Sequence, residues 1–192
     1  MKKPLTAFLL AAALCPQGAC AATSPVMPLR NGMNSLSLTS APVPAMAMLA
    51  HRENFNAHSF EVLTLYVQAA GIEGEPPQWQ IVPVFDSASE RLTLSASGGA
   101  DCVLHDFRLL RPAAGQDATL ILADREPGES FTSPAAVQFR YFKLKKNPDG
   151  VPGQPVYRFQ FDHARKAGKA YCDVGEALKA ELGLDPYLPT EP

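Results

Sequence analysis

The chain has 192 residues, 46% of them hydrophobic and 19% charged, with 17 basic against 19 acidic side chains for a net charge of −2. Without a basic run, and with a single Trp, it carries no footprint for nucleic acid, which requires a concentrated positive patch. The Leu, Val and aromatic content suits one folded domain of a size that can bury a sound core.

Met1-Lys2-Lys3, the apolar run Leu5 to Leu14 and the small residues Ala19-Cys20-Ala21-Ala22 read as a secretory signal peptide over 1–22. The run is about half of the ~20 residues that span a bilayer, so no retained membrane span is expected. A lipoprotein reading fits poorly, because Gln17 stands three places before Cys20 and Leu14 directly precedes Cys15. Cleavage removes Lys2 and Lys3 and no acid, so the mature domain, 23–192, carries 15 basic against 19 acidic side chains and is expected in the periplasm. Of the 4 cysteines, Cys102 and Cys172 lie beyond the leader. In an oxidising compartment they fit a single disulfide, the alternative being two buried thiols.

Thr23 to Pro28 reads as a flexible leader, since Ser24, Pro25 and Pro28 break regular structure. After the turn signal Asn31-Gly32, Leu36 and Leu38 alternate with Ser35 and Ser37 as a short strand does. Ala45 to Ala50 is a second apolar run. Phe60 to Val67, rich in β-branched and aromatic residues, predicts a strand buried on both faces. Trp79 to Phe85 predicts another, with Pro83 marking an edge or a bulge. Gly71 to Pro77 and Ser97 to Asp101 read as turns. Further strands are expected over Arg91 to Ser95, Cys102 to Leu110, Ala118 to Ala123 and Val137 to Leu144. Asn147-Pro148-Asp149-Gly150 then turns the chain into Tyr157 to Phe161.

Short strands separated by turn signals predict an all-β, antiparallel β-sandwich-like domain. The exception is one C-terminal α-helix, Val174 to Leu182. Asp173 and Glu176 supply its N-terminal capping pair, Val174, Ala177, Leu178 and Leu182 its apolar face, and Gly183 its stop. Pro186, Pro189 and Pro192 mark a Pro-rich tail.

His51-Arg52-Glu53-Asn54-Phe55-Asn56-Ala57-His58-Ser59-Phe60 is the chemically densest stretch and precedes a strand, which places it at a sheet rim. His51, Arg52, Glu53, Asn54, Asn56 and His58 are therefore the candidate ligand-binding residues. The competing reading is that the amides only organise a turn.

Serine β-lactamases and transpeptidases need a Ser-x-x-Lys box and a Lys-Thr-Gly strand, and neither occurs. Nor does a Gly-x-Ser-x-Gly elbow or a phosphate-cradling glycine loop, and the chain is expected to be no enzyme and to take no cofactor. The histidines match no known zinc signature. A copper reading joins Met46, Met48 and His51, against ordinary packing of thioethers on an apolar strand. His105-Asp106 and Asp162-His163 are strand neighbours whose side chains point to opposite faces, so neither is expected to form a carboxylate–imidazole pair. Arg140 to Lys146 is read as the solvated face of a hairpin.

The same block, with Gly99-Ala100-Asp101-Cys102-Val103-Leu104-His105-Asp106-Phe107-Arg108 and Tyr171-Cys172-Asp173-Val174, resembles the CarG-like carbapenem intrinsic-resistance proteins. The resemblance implies a periplasmic, β-rich protein that protects against carbapenems without being a recognised β-lactamase. It departs at Thr39 to Met46, Ala- and Pro-rich where relatives carry an Asp- and Gly-rich loop, so an acidic or calcium-like role there is not carried over. The resemblance supplies no mechanism; from the residues, the rim of Arg52, Glu53, Asn54, Asn56 and His58 is expected to bind a β-lactam, whose carboxylate Arg52 would meet, or an envelope protein. The alternatives from the residues are a secreted envelope binding module or inhibitor, and a periplasmic metal-binding protein.

Overall fold

A computed structural model describes residues 25–69, 76–86, 89–97, 101–113, 115–130 and 132–187. The proposed signal peptide, Thr23 and Ser24, most of the Gly71 to Pro77 and Ser97 to Asp101 turns, and the last five residues lie outside them. The chain forms β1 (Gly32–Leu36), β2 (Ala45–Arg52), β3 (Phe60–Ala69), β4 (Gln78–Ile81), β5 (Val84–Phe85), β6 (Glu90–Arg91), β7 (Leu94–Ser97), β8 (His105–Leu110), β9 (Thr119–Arg125), β10 (Val137–Lys146), β11 (Tyr157–Lys166) and α1 (Val174–Leu182).

Two sheets result. The first has the order β1-β2-β3-β4, with β7 also on β3; the second runs β6-β5-β11-β10-β9-β8. Pairing is antiparallel throughout except β5 on β11, which is parallel. The predicted strand Trp79 to Phe85 is divided between the sheets. Val82 N–H still donates to Leu65 at 2.8 Å, while the Pro83 carbonyl accepts from Phe159 at 2.8 Å in the other sheet. Proline has no N–H with which to continue the β3 ladder, so the chain changes sheets at that residue. It returns at β7, where Leu94 lies opposite Leu63.

The core lies between the sheets. Ala45, Ala47, Leu49, Leu63, Leu65 and Val67 of the first sheet and Phe107, Leu109, Leu120, Leu122, Phe142, Leu144 and Phe159 of the second are buried there. Val62, Thr64 and Tyr66 on the other face of β3 are only half-buried, so β3 is not the strand covered on both sides. Both faces are covered instead in β9, where Leu120 to Ala123 are all buried, and in the middle of β8, because α1 packs its Val174, Ala177 and Leu178 beneath the second sheet.

The helix follows its local signals. The Asp173 side chain accepts from the N–H groups of Gly175 and Glu176, and Gly183 ends the helix at φ 66°. A disulfide joins Cys172 to Cys102, with 5.1 Å between Cα atoms, and so fixes the helix start to the segment that leads into β8. Arg108, 1% exposed, lies near Gly175 under this end, paired with Asp106 at 2.7 Å. Burial pushes the Asp106 carboxyl above its usual range, against the pull of Arg108.

The described parts of the expected leader and tail are held more firmly than their composition suggests. Pro25 to Pro28 is no flexible leader: the Pro25 carbonyl accepts from Arg111, Met27 N–H donates to Leu109, each at 2.8 Å, and Val26 and Met27 are buried. This segment covers the edge of β8 that would otherwise expose unpaired backbone groups. The start of the tail is held as well, since Tyr187 is buried and stacks on Phe107 with ring centroids 4.4 Å apart.

Candidate functional site

Arg52 at the end of β2 lies opposite Phe60 at the start of β3, so residues 53–59 form the loop of one hairpin. Its polar side chains bond its own backbone. The Glu53 carboxylate accepts from the Phe55 N–H and, at 2.8 Å, from the Ser59 hydroxyl. Asn54 Nδ2 donates to the His58 carbonyl at 2.7 Å, and Asn54 N–H donates to Ser59 Oγ at 3.2 Å. Asn56 Oδ1 accepts from His58 N–H at 2.9 Å, the two-residue turn that Asn forms readily. The Ser59 hydroxyl and Phe55 N–H hold the Glu53 carboxyl below its usual range.

His51 sits opposite Glu61 on the face of the first sheet that carries Leu49 and Leu63. Its Nδ1 is 2.8 Å from Glu61 Oε1 and its Nε2 3.4 Å from Glu53 Oε2. The Glu61 hydrogen bond is the largest influence raising the His51 pKa above its ordinary value. Arg52 turns to the opposite face, where its guanidinium donates to Asn54 and lies 5.4 Å from the centre of the Phe60 ring.

The structure thus brings His51, Glu53, Asn54 and Asn56 into one braced loop, with Arg52 secured at its base and His58 exposed. Phe55 is not among the residues expected to bind. It stands 95% exposed between the two amides, at φ 55°. A non-glycine residue at positive φ is uncommon and persists where its surroundings fix it. An aromatic residue inside a polar turn was the available sequence signal.

The copper constellation does not form. Met48 and His51 are an odd number of residues apart, so β2 sends His51 to the face opposite that of Met46 and Met48.

A second polar assembly lies at the end of the inter-sheet face. His105 Nδ1 is 2.9 Å from Asp124 Oδ1, and Asp124 Oδ2 is 2.7 Å from Arg140. Arg140 continues to Asp86 at 3.3 Å, which meets Arg91 at 3.4 Å. Burial raises the Asp124 carboxyl pKa, but the hydrogen bonds from His105 and Arg140 outweigh it and leave the group below its usual range. Arg91, Thr93, Ser95, His105 and Asp124 line a cleft of 270 Å³ between β7 and β8.

Two sequence expectations change here. Arg140 is not part of a solvated face, because its partners arrive from β9 and from the residue after β5. Asp162 and His163 do meet, at 2.9 Å, since a register shift between Tyr141 and Phe142 leaves Asp162 without a partner on β10 and breaks the strand alternation. His105 keeps away from Asp106, as expected, and takes Asp124 across the ladder.

Comparison with known proteins places this architecture. It superposes on the crystal structure of CarG with a TM-score of 0.66 at 23% sequence identity, covering 86% of this chain and 99% of that one. No functionally curated protein matches. The family model described as carbapenem resistance protein CarG-like matches residues 29–180, which spans both sheets, the braced loop, the disulfide and most of the helix. The chain belongs to the CarG-like family of carbapenem resistance proteins.

Proposed function

We propose that this chain works in the periplasm as a carbapenem-resistance factor that leaves the drug intact and acts by binding an envelope protein through the β2–β3 loop. The observation that carries this reading is the display of Phe55, almost wholly exposed at positive φ on a loop braced by Glu53, Asn54, Asn56 and Ser59. An aromatic side chain on a preorganised loop loses little freedom on docking, and aromatic anchors dominate the binding energy of protein interfaces. The periplasmic address rests on the N-terminal sequence pattern, and the non-hydrolytic character on the missing hydrolase boxes. Arg52 and His58 flank the anchor and supply polar contacts at its rim.

A second reading is favoured by the cleft between β7 and β8, where Arg91 and His105 offer donors to a carboxylate of the drug itself. Its volume is near the lower limit for small-molecule sites. The two readings separate in one experiment. A sensitive bacterium exporting Phe55→Ala should lose carbapenem protection while the purified variant melts within about 2 °C of the parent. Full protection by Phe55→Ala, with loss in Arg91→Ala, would overturn the loop reading in favour of the cleft.

A further inference from the structure

The outward face of the first sheet carries thioethers in an arrangement that the sequence order hides. Met33 on β1 lies directly opposite Met48 on β2, and Met46 follows two residues before Met48 on the same face. Met33 is 72% exposed and Met48 40%, with Met46 half-buried beside Tyr66 on β3. We infer that Met33, Met46 and Met48 form a binding site for one soft monovalent cation, Cu(I) in the cell, held by three thioether sulfurs.

Directly opposed residues place their Cβ atoms about 5 Å apart and diagonal neighbours up to about 7 Å apart. Methionine carries its sulfur beyond Cβ on freely rotating bonds, so three sulfurs from such a triangle can converge above its centre. Thioethers select Cu(I) and its soft relatives over zinc, magnesium or calcium. Met46 and Met48 alone make a pair, and the third donor comes from Met33 on the adjacent strand instead of from His51, which faces the other way. A thioether has no proton to lose in this pH range. Unlike imidazole or thiolate sites, this one should therefore bind equally at pH 7 and pH 5.

The test uses protein labelled with ¹³C in the methionine methyl groups, its free thiols alkylated so that no cysteine competes, titrated with Ag(I) in chloride-free buffer as a redox-inert stand-in for Cu(I). The methyl signals of Met33, Met46 and Met48 should shift together and saturate at one equivalent, at both pH values, while that of buried Met27 stays fixed. Met48→Leu should weaken binding at least tenfold with an unchanged melting temperature, and Met33→Leu should do the same. Absence of shifts at several equivalents would overturn the site, as would a response confined to one methionine or retained in both Leu variants.

Discussion

Removing the disulfide with Cys102→Ser/Cys172→Ser gives a loss of stability that can be worked from the chain itself. The bridge spans a sequence separation of 70 residues. Closing a loop of that length lowers the entropy of the unfolded chain by an amount equivalent to about 4.4 kcal/mol at 25 °C in the chain-entropy description. For a domain of this size, 1 kcal/mol moves the melting temperature by about 2–4 °C, so the double variant should melt about 10–15 °C lower. The bridge also secures the first turn of α1 beside Arg108, so the loss should be seen at the helix as well as globally. The assay is urea and thermal unfolding of parent and variant, followed by circular dichroism, with intact mass after alkylation to establish the thiol state. A melting temperature lowered by less than about 3 °C would show that the bridge does not constrain the unfolded chain to this extent. So would two alkylatable thiols in place of the bridge in the parent exported to an oxidising compartment.

The buried pair beneath the helix makes a second prediction. Asp106→Asn leaves the Arg108 guanidinium buried without its carboxylate, which costs about 3–5 kcal/mol, and Asp106→Asn/Arg108→Met should recover part of that loss because the charge is removed as well. Chemical unfolding of both variants checks it, and a double variant less stable than the single one would contradict it. Asp124 contributes to acid sensitivity. Its pKa is lower in the folded chain than in the unfolded, so its contribution is present above the ordinary value of 3.8 and is lost as pH falls through the folded value. Asp124→Asn should therefore flatten the fall in melting temperature on the acid side of pH 4, and parallel curves for variant and parent would refute this. His51 shifts the opposite way, so the stabilisation it gives is full below the ordinary value of 6.5 and is lost as pH rises through the raised value. A His51→Gln variant should lack that alkaline decline in the melting curve.

Much of the fold was legible because its signals are local. The helix runs from Val174 to Leu182 as its Asp173 cap, apolar spacing and Gly183 stop require, and Ala45, Val137 and Tyr157 open strands where the apolar patterning begins. What the sequence hid depends on partners distant along the chain. Pro83 marks a break, but only the carbonyl of Leu65 and the N–H of Phe159 determine that the break is a passage between sheets. Pro25 to Pro28 has the composition of a leader and is held down by the backbone of β8. Strand alternation correctly separated His105 from Asp106, and failed at Asp162 and His163 because a bulge suspends it. In the loop, the sequence marks the amides as either binding or bracing groups. Asn54 and Asn56 brace the loop by hydrogen bonds to its backbone, and the exposure of Phe55 between them depends on that loop geometry, which composition does not reveal.

The proposed function requires protection without destruction of the drug. It is tested by survival of a carbapenem-sensitive bacterium exporting this chain, with the drug concentration in the medium followed by mass spectrometry over the same hours. Survival above the non-exporting control while the drug remains at the control level is the predicted result. Drug consumed in molar excess over the exported protein would contradict the claim and point to catalysis, and unchanged susceptibility with export and folding verified would contradict a protective role altogether.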